Sequence, residues 1–86
     1  MHANFRGVDH TVTDRHEDTC PVCKSAAVSQ IRAGDTAADD FPPGQARQIW
    51  STVWTHYQDF TCENSHAWIV LSNQDSTKFK TLVPTD

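Results

Sequence analysis

Long apolar runs are absent from this sequence. The longest, at 67–71, holds five residues, whereas a membrane-spanning helix needs about 20. The first six residues also lack the apolar stretch of a secretory signal. We therefore expect a cytoplasmic protein with no membrane association.

Positive charge is also scarce. Seven Lys and Arg stand against 11 Asp and Glu, which gives a formal net charge of −4. A protein held on nucleic acid mainly by phosphate neutralisation needs the opposite balance. The composition therefore disfavours nucleic acid and favours a protein partner.

Cysteine occurs only three times, at Cys20, Cys23 and Cys62. An odd number cannot form a closed set of internal disulfides. Two of the three stand in a C-x-x-C pair, which in an intracellular chain indicates a metal site.

Candidate core residues are few for 86 residues. They are Val28, Ile31, Ile49, Trp50, Val53, Trp54, Tyr57, Phe60, Trp68, Ile69, Val70, Leu71, Phe79, Leu82 and Val83. Burying one such side chain stabilises the fold by roughly 1.5–3 kcal/mol, while ordering each residue of the chain costs roughly 1.5 kcal/mol. A bound structural metal, at roughly 10–16 kcal/mol in small finger peptides, would shift this balance.

Period-two alternation and β-branched or aromatic residues predict the strands. They are placed at 25–32, 47–62, 66–71 and 77–83. A helix over 46–56 competes, because Ile49/Val53 and Trp50/Trp54 are i,i+4 pairs, but residue propensities favour a strand. The domain is expected to span 18–83 with a long loop at 33–46, between a flexible N-terminal tail at 1–17 and a short tail at 84–86.

The two cysteine-containing turns together offer four zinc ligands. Cys20-Pro21-Val22-Cys23 is a tight turn that brings two sulfurs together, and Cys62 and His66 flank the loop of a predicted hairpin. Cys20, Cys23, Cys62 and His66 thus form a Cys₃His set for one structural Zn²⁺. His16, four residues before Cys20, is the alternative fourth ligand.

This arrangement resembles the zinc-ribbon class, in which a C-P-x-C knuckle is followed by a β-hairpin that carries a second knuckle. The stretch Tyr57-x-Asp59-Phe60-Thr61-Cys62-x-x-x-His66-x-Trp68 is similar to the hairpin of transcription-type ribbons. The fourth ligand differs, being His at three-residue spacing. The resemblance implies a small, metal-stabilised all-β domain with a three- to four-stranded antiparallel sheet.

Catalytic motifs are not found: a four-ligand site is closed to water, and the sequence has no H-x-E, Gly-rich phosphate loop or nucleophile elbow. We therefore expect a non-catalytic adaptor that binds a protein partner, within transcription or another macromolecular machine. The alternative is a nucleic-acid-binding ribbon. Its surface would consist of Trp50, Trp54, Trp68, Arg47, Lys78 and Lys80. Whether these tryptophans are core or exposed separates the two hypotheses.

Overall fold

The computed structural model describes residues 1–85 and consists of a six-stranded antiparallel sheet with one short helix. The elements are β1 (His2–Phe5), β2 (Val8–Thr13), β3 (Val28–Asp35), a 3₁₀ turn (Ala38–Asp40), α1 (Gln45–Val53), β4 (His56–Cys62), β5 (Ala67–Ser72) and β6 (Phe79–Pro84). The strand order is β1-β2-β6-β5-β4-β3, with every neighbouring pair antiparallel. The all-β prediction is confirmed, but the sheet has six strands instead of three or four.

The N-terminal segment supplies the additional strands. The predicted flexible tail at 1–17 is wrong for residues 2–13, which form β1 and β2. Arg6 and Gly7 make the two-residue turn between them with positive φ values of 55° and 78°, as a tight hairpin requires. Phe5 and Val12 are buried in the core, so the hairpin is held by packing as well as by strand pairing.

The C-terminal end also joins the sheet. Pro84, predicted as the first residue of a tail, is the last residue of β6 and pairs with His10. The amide of Thr85 donates a hydrogen bond to the carbonyl of Asp9 at 3.0 Å. Asp86 lies outside the described residues.

The predicted strand over 47–62 is wrong in its first half, where residues 47–53 belong to α1. Gly44, with a φ of 102°, is the N-cap residue of this helix and directly follows two prolines. Trp50 and Trp54 lie one turn apart and place their indoles 6.4 Å from each other, and Trp50 also contacts the buried Phe41. This packing outweighs the weak helix propensity of the segment.

Both faces of the sheet carry an apolar cluster. The helix-side cluster comprises buried Phe5, Val12, Phe41, Trp54, Leu71 and Leu82, with Ala3, Trp50, Tyr57 and Ile69 packed against them. The metal-side cluster comprises buried Cys20, Cys62, Trp68 and Val70, with Val28, Phe60, Phe79 and Val83 packed against them. Residues 69 to 71 of β5 show the alternation, since Val70 belongs to the metal side and its two neighbours to the helix side.

Three of the predicted core residues are on the surface. Ile31, Ile49 and Val53 are exposed. Ile31 lies where the register between β3 and β4 shifts, and such a bulge leaves its extra residue unpaired.

The sheet is strongly curved, as one ionic contact demonstrates. Arg6, in the β1–β2 turn, reaches Asp59 in β4 at 3.4 Å although two strands separate β2 from β4 in the sheet. Arg32 of β3 approaches the same carboxylate at 2.9 Å. The guanidinium of Arg6 also lies 4.5 Å from the ring centre of Tyr57. These contacts join the hairpin to the opposite end of the sheet.

Candidate metal centre

The first cysteine turn is closed by its backbone. The amide of Lys24 donates to the carbonyl of Cys20 at 2.9 Å, and the amide of Cys20 donates to the carbonyl of Ser25 at 2.9 Å. Lys24 has a φ of 64°, the left-handed conformation that reverses the chain. The amides of Val22 and Cys23 point at the sulfur of Cys20, at 3.4 and 3.5 Å. The turn therefore presents both sulfurs on one side, as the sequence predicts.

The second turn joins β4 to β5. The amide of Cys62 donates to the carbonyl of His66 at 3.0 Å, and the amide of Ser65 donates to the carbonyl of Cys62 at 3.0 Å. Ser65 has a φ of 66°. The amide of Glu63 donates to the carbonyl of Ala27 at 3.1 Å, which fixes this turn against the segment that follows the first one.

The four predicted ligand atoms meet at one point, all within 4.8 Å of one another. The sulfur of Cys20 lies 3.7 Å from Nδ1 of His66, the sulfur of Cys62 lies 3.5 Å from the same nitrogen, and the sulfurs of Cys23 and Cys62 are 3.7 Å apart. In a tetrahedral zinc site, ligand bonds of about 2.3 Å to sulfur and about 2.05 Å to nitrogen give edges of about 3.8 Å and about 3.6 Å. The three separations match these edges closely.

All three cysteines are free thiols. The separation of 3.7 Å between the sulfurs of Cys23 and Cys62 is far longer than a disulfide bond of about 2.05 Å. The cluster therefore has the spacing of a metal site, and it could hold one metal ion.

The thiols differ in their electrostatic surroundings. The amide side chain of Asn64 donates to the sulfur of Cys23 at 3.4 Å, and this hydrogen bond is the main reason why the pKa of Cys23 is lowered to about 6. Burial raises the pKa of the Cys62 thiol because its thiolate would lose solvation. A cation at the centre would remove that penalty by neutralising the thiolate.

Asn64 also contributes to the site, although the spacing of the ligands does not predict its role. Its position between two ligands in the second turn indicates a hydrogen bond to a ligating sulfur, because groups around a metal site commonly hydrogen-bond its ligands.

The core extends directly to the site. Cys20 and Cys62 are buried in the metal-side cluster beside Trp68, whose ring stacks on Phe60 with centroids 5.8 Å apart and an interplanar angle of 17°. Trp68 is 1% exposed. The cysteines of the two turns thus pack against this aromatic pair.

His16, the alternative fourth ligand, lies elsewhere. Its ring packs edge-on against Phe79, with centroids 5.3 Å apart, and its Nδ1 lies 3.1 Å from a carboxylate oxygen of Asp18. Among residues 1–85, the group of ligands close enough to share a metal contains His66 and not His16.

The structure does not bring the predicted aromatic surface together. Trp68 and Trp54 are buried, on opposite faces of the sheet, so of the two alternatives for these residues the structure supports core over an exposed surface. Trp50 is half-buried against the helix-side cluster. These indoles are core residues because the small sheet has few other large apolar groups to cover its two faces.

Two of the three cations of that predicted surface contact other groups of the protein. Lys80 pairs with Asp14 and lies over the rings of Trp50 and Trp54 at 5.7 and 5.5 Å. Arg47 donates two hydrogen bonds to the carbonyl of Phe41, both at 3.2 Å. Lys78 is exposed, at a cleft of about 460 Å³ that Trp54 and Lys80 also line.

Comparison of the chain with protein-family models, with the curated proteins and with the solved structures finds no match. The described helix, at nine residues, is too short to cross a membrane. The Cys₃His cluster is accordingly the basis for a functional assignment.

Proposed function

We propose that this chain is a non-catalytic adaptor domain that binds a protein partner and is stabilised by one structural Zn²⁺. Cys20, Cys23, Cys62 and His66 are the ligands. The observation that carries the metal assignment is the spacing of their donor atoms, which all lie within 4.8 Å of one another and are 3.5 to 3.7 Å apart in three of the pairs.

Zinc is the metal that this donor set favours. Three thiolates and one imidazole suit Zn²⁺, whereas Mg²⁺ and Ca²⁺ require oxygen ligands. Four protein ligands fill a tetrahedral site and leave no position for a water molecule, which is typical of structural zinc. The transcription-type zinc ribbon remains the class that the two knuckles resemble.

The proposed metal acts by joining two distant segments. The first turn precedes β3 and the second connects β4 to β5, so a bound ion fixes the edge of the sheet to its centre. Because the unfolded chain has no assembled site, the free energy of binding adds directly to folding. For a chain whose apolar clusters are this small, that contribution is decisive.

Charge supports a protein partner over nucleic acid. The formal net charge of −4 becomes about −5 once three thiolates bind a divalent ion. Ile49 and Val53, both exposed, lie one turn apart on α1, the spacing at which an amphipathic helix presents an apolar ridge to a partner. A role in transcription or in another macromolecular machine is the context that we propose.

Metal content of the purified protein, measured by mass spectrometry, tests the site. We expect one zinc per chain in the wild type and loss of affinity in His66→Ala. His56→Ala is the matched control, because His56 lies in β4, contacts Asp35 at 2.9 Å and is not part of the Cys₃His cluster. A folded wild-type chain without metal would contradict the proposal.

Two binding measurements test the adaptor role. Protein partners captured by cross-linking should be lost when Ile49→Asp is used as bait and kept with Gln48→Asp, which changes an exposed polar neighbour. Fluorescence anisotropy with a labelled single-stranded oligonucleotide should show no tight binding at physiological salt. Tight binding there, without protein capture, would overturn the adaptor role in favour of the nucleic-acid alternative.

A further inference from the structure

The three sulfurs of the Cys₃His cluster differ in their access to solvent. Cys20 is 0% and Cys62 is 6% exposed, whereas Cys23 is an exposed residue. The sulfur of Cys20 is further screened by the backbone amides of Val22 and Cys23. A small oxidant arriving from solvent therefore meets the sulfur of Cys23 first.

The sulfur of Cys62, in the second turn, lies across the site from that of Cys23. The two sulfurs lie 3.7 Å apart, so a closure of less than 2 Å would reach the length of a disulfide bond. The turn that carries Cys23 lies on the surface, while Cys62 is fixed at the end of β4. The exposed turn is thus the part that can move.

We propose that hydrogen peroxide converts Cys23 and Cys62 into a disulfide and thereby releases the zinc ion. This inference rests on the proposed zinc site. The thiolate of Cys23 attacks one oxygen of the peroxide; an S–O bond forms, the O–O bond breaks, and the departing hydroxide takes a proton to become water. The thiolate of Cys62 then attacks the sulfur of Cys23. The S–S bond forms, the S–O bond breaks, and a second hydroxide leaves as water after protonation.

The reaction balances as a two-electron oxidation. Two thiolates give up one electron each, and one peroxide with two protons becomes two waters. Zn²⁺ does not change its oxidation state. It keeps only Cys20 and His66 as ligands, and because thiolate ligands are required for tight binding at such a site, the ion dissociates. A dithiol reductant, by accepting the disulfide, restores both thiolates and the site.

The competing product is a disulfide within the C-x-x-C turn. Cys20 and Cys23 are closer in sequence, but the sulfur of Cys20 is buried beneath the turn and accepts its amides. Breaking those hydrogen bonds would dismantle the turn itself. Pairing with Cys62 leaves them in place.

Trypsin separates the two products. It cuts after Arg15 and Lys24 and leaves Cys20 and Cys23 together in the peptide 16–24, while Cys62 lies in the peptide 48–78. We expect peroxide treatment of the zinc-loaded protein to release one zinc per chain, to join these two peptides through Cys23, and to leave Cys20 as the one thiol that iodoacetamide modifies. A loop within 16–24, or zinc release with all thiols oxidised singly, would overturn the inference.

Two matched variants test the order of attack. Cys23→His and Cys20→His both keep four zinc ligands of an accepted type. Zinc release, followed with a chromogenic chelator, should slow at least about tenfold in Cys23→His, because the accessible thiolate is gone. In Cys20→His it should stay within about twofold of the wild type. Equal rates in the two variants would overturn the inference. If either variant fails to bind zinc, the peptide mapping of the wild type decides.

The two proposals fail in distinguishable ways. A folded wild-type protein that never binds zinc contradicts both. A protein that binds one zinc and retains it, with all three thiols reduced after excess peroxide, contradicts only the redox inference.

Discussion

Replacement of Phe5 by Ala tests whether the N-terminal hairpin is part of the folded domain. Phe5 is 0% exposed, its ring lies 5.4 Å from that of Phe41, and the guanidinium of Arg6 lies 5.0 Å above it. Deleting a fully buried Phe side chain costs about 3–5 kcal/mol, from lost transfer free energy and from the cavity left behind. Because the ring is wholly buried, we expect Phe5→Ala to lower the free energy of unfolding by an amount within that range.

That loss is large relative to the free energy of unfolding of the whole domain. A domain of 86 residues has a free energy of unfolding of roughly 4–13 kcal/mol at about 0.05–0.15 kcal/mol per residue. Urea denaturation followed by circular dichroism measures the difference. Free zinc must be buffered at the same concentration for both proteins, because a metal that binds only the native state adds to the apparent stability.

Val8→Ala is the matched control. Val8 pairs with Phe5 in the same hairpin but is 46% exposed, so its truncation should cost no more than about 1 kcal/mol. If the two variants unfold at the same urea concentration, the hairpin contributes nothing to the core. β1 and β2 would then not be part of the cooperatively folded domain.

Two further predictions concern buried ionisable groups. Asp59→Asn removes the carboxylate shared by Arg6 and Arg32. We expect it to lower the free energy of unfolding by about 2–4 kcal/mol. This loss is smaller than for a fully enclosed ion pair, because Arg32 is largely exposed. Asp75→Asn, at an exposed turn, should cost less than about 0.5 kcal/mol in the same denaturation assay; equal costs would contradict the assignment of a buried ionic contact. Burial lowers the pKa of His10 from its ordinary value of 6.5, so the neutral imidazole is the form that folding favours. Its contribution is complete above about pH 6.5 and is lost as the pH falls through the lowered native pKa. At matched zinc occupancy, the stability of the wild type should therefore fall more than that of His10→Gln on acidification, and parallel pH profiles would contradict this.

The metal cluster could be predicted because its information is local. Each turn brings two ligands together within three or four residues, and the antiparallel strands after Tyr57 carry the second turn. The remaining step, the meeting of the two turns, follows from the requirement of zinc for four ligands. Chemistry that depends on few residue types and fixed spacing is visible in a single sequence.

The hairpin at 2–13 could not be predicted in the same way. Its buried apolar residues are only Phe5 and Val12, and polar residues surround them in the sequence. Burial of His10 is equally invisible, because it results from the position of β2 between β1 and β6. The Arg6-Gly7 turn is a weak signal, since Arg is not the residue that such turns favour.

The helix α1 shows a different limit. Its i,i+4 tryptophan pair fits a helix and its β-branched composition fits a strand, so local preference is nearly balanced. The outcome depends on contacts outside the helix: Phe41, shortly before α1, and Lys80, in the distant strand β6, both contact Trp50. Tertiary packing therefore decides an element that sequence periodicity leaves ambiguous.

The position of β6 between β2 and β5 has a consequence for the order of folding during synthesis. Of the six strands that the structure describes, β6 is synthesised last, yet it is the one that links the hairpin β1–β2 to the strands β3 to β5 in the sheet. The nascent chain can form β3, β4 and β5 with both cysteine turns before β6 appears. The hairpin, synthesised before the other described strands, has no neighbour in the sheet until about 70 further residues have been added. Of the described strands, the pair that is synthesised first is thus the last to be paired with the rest of the sheet.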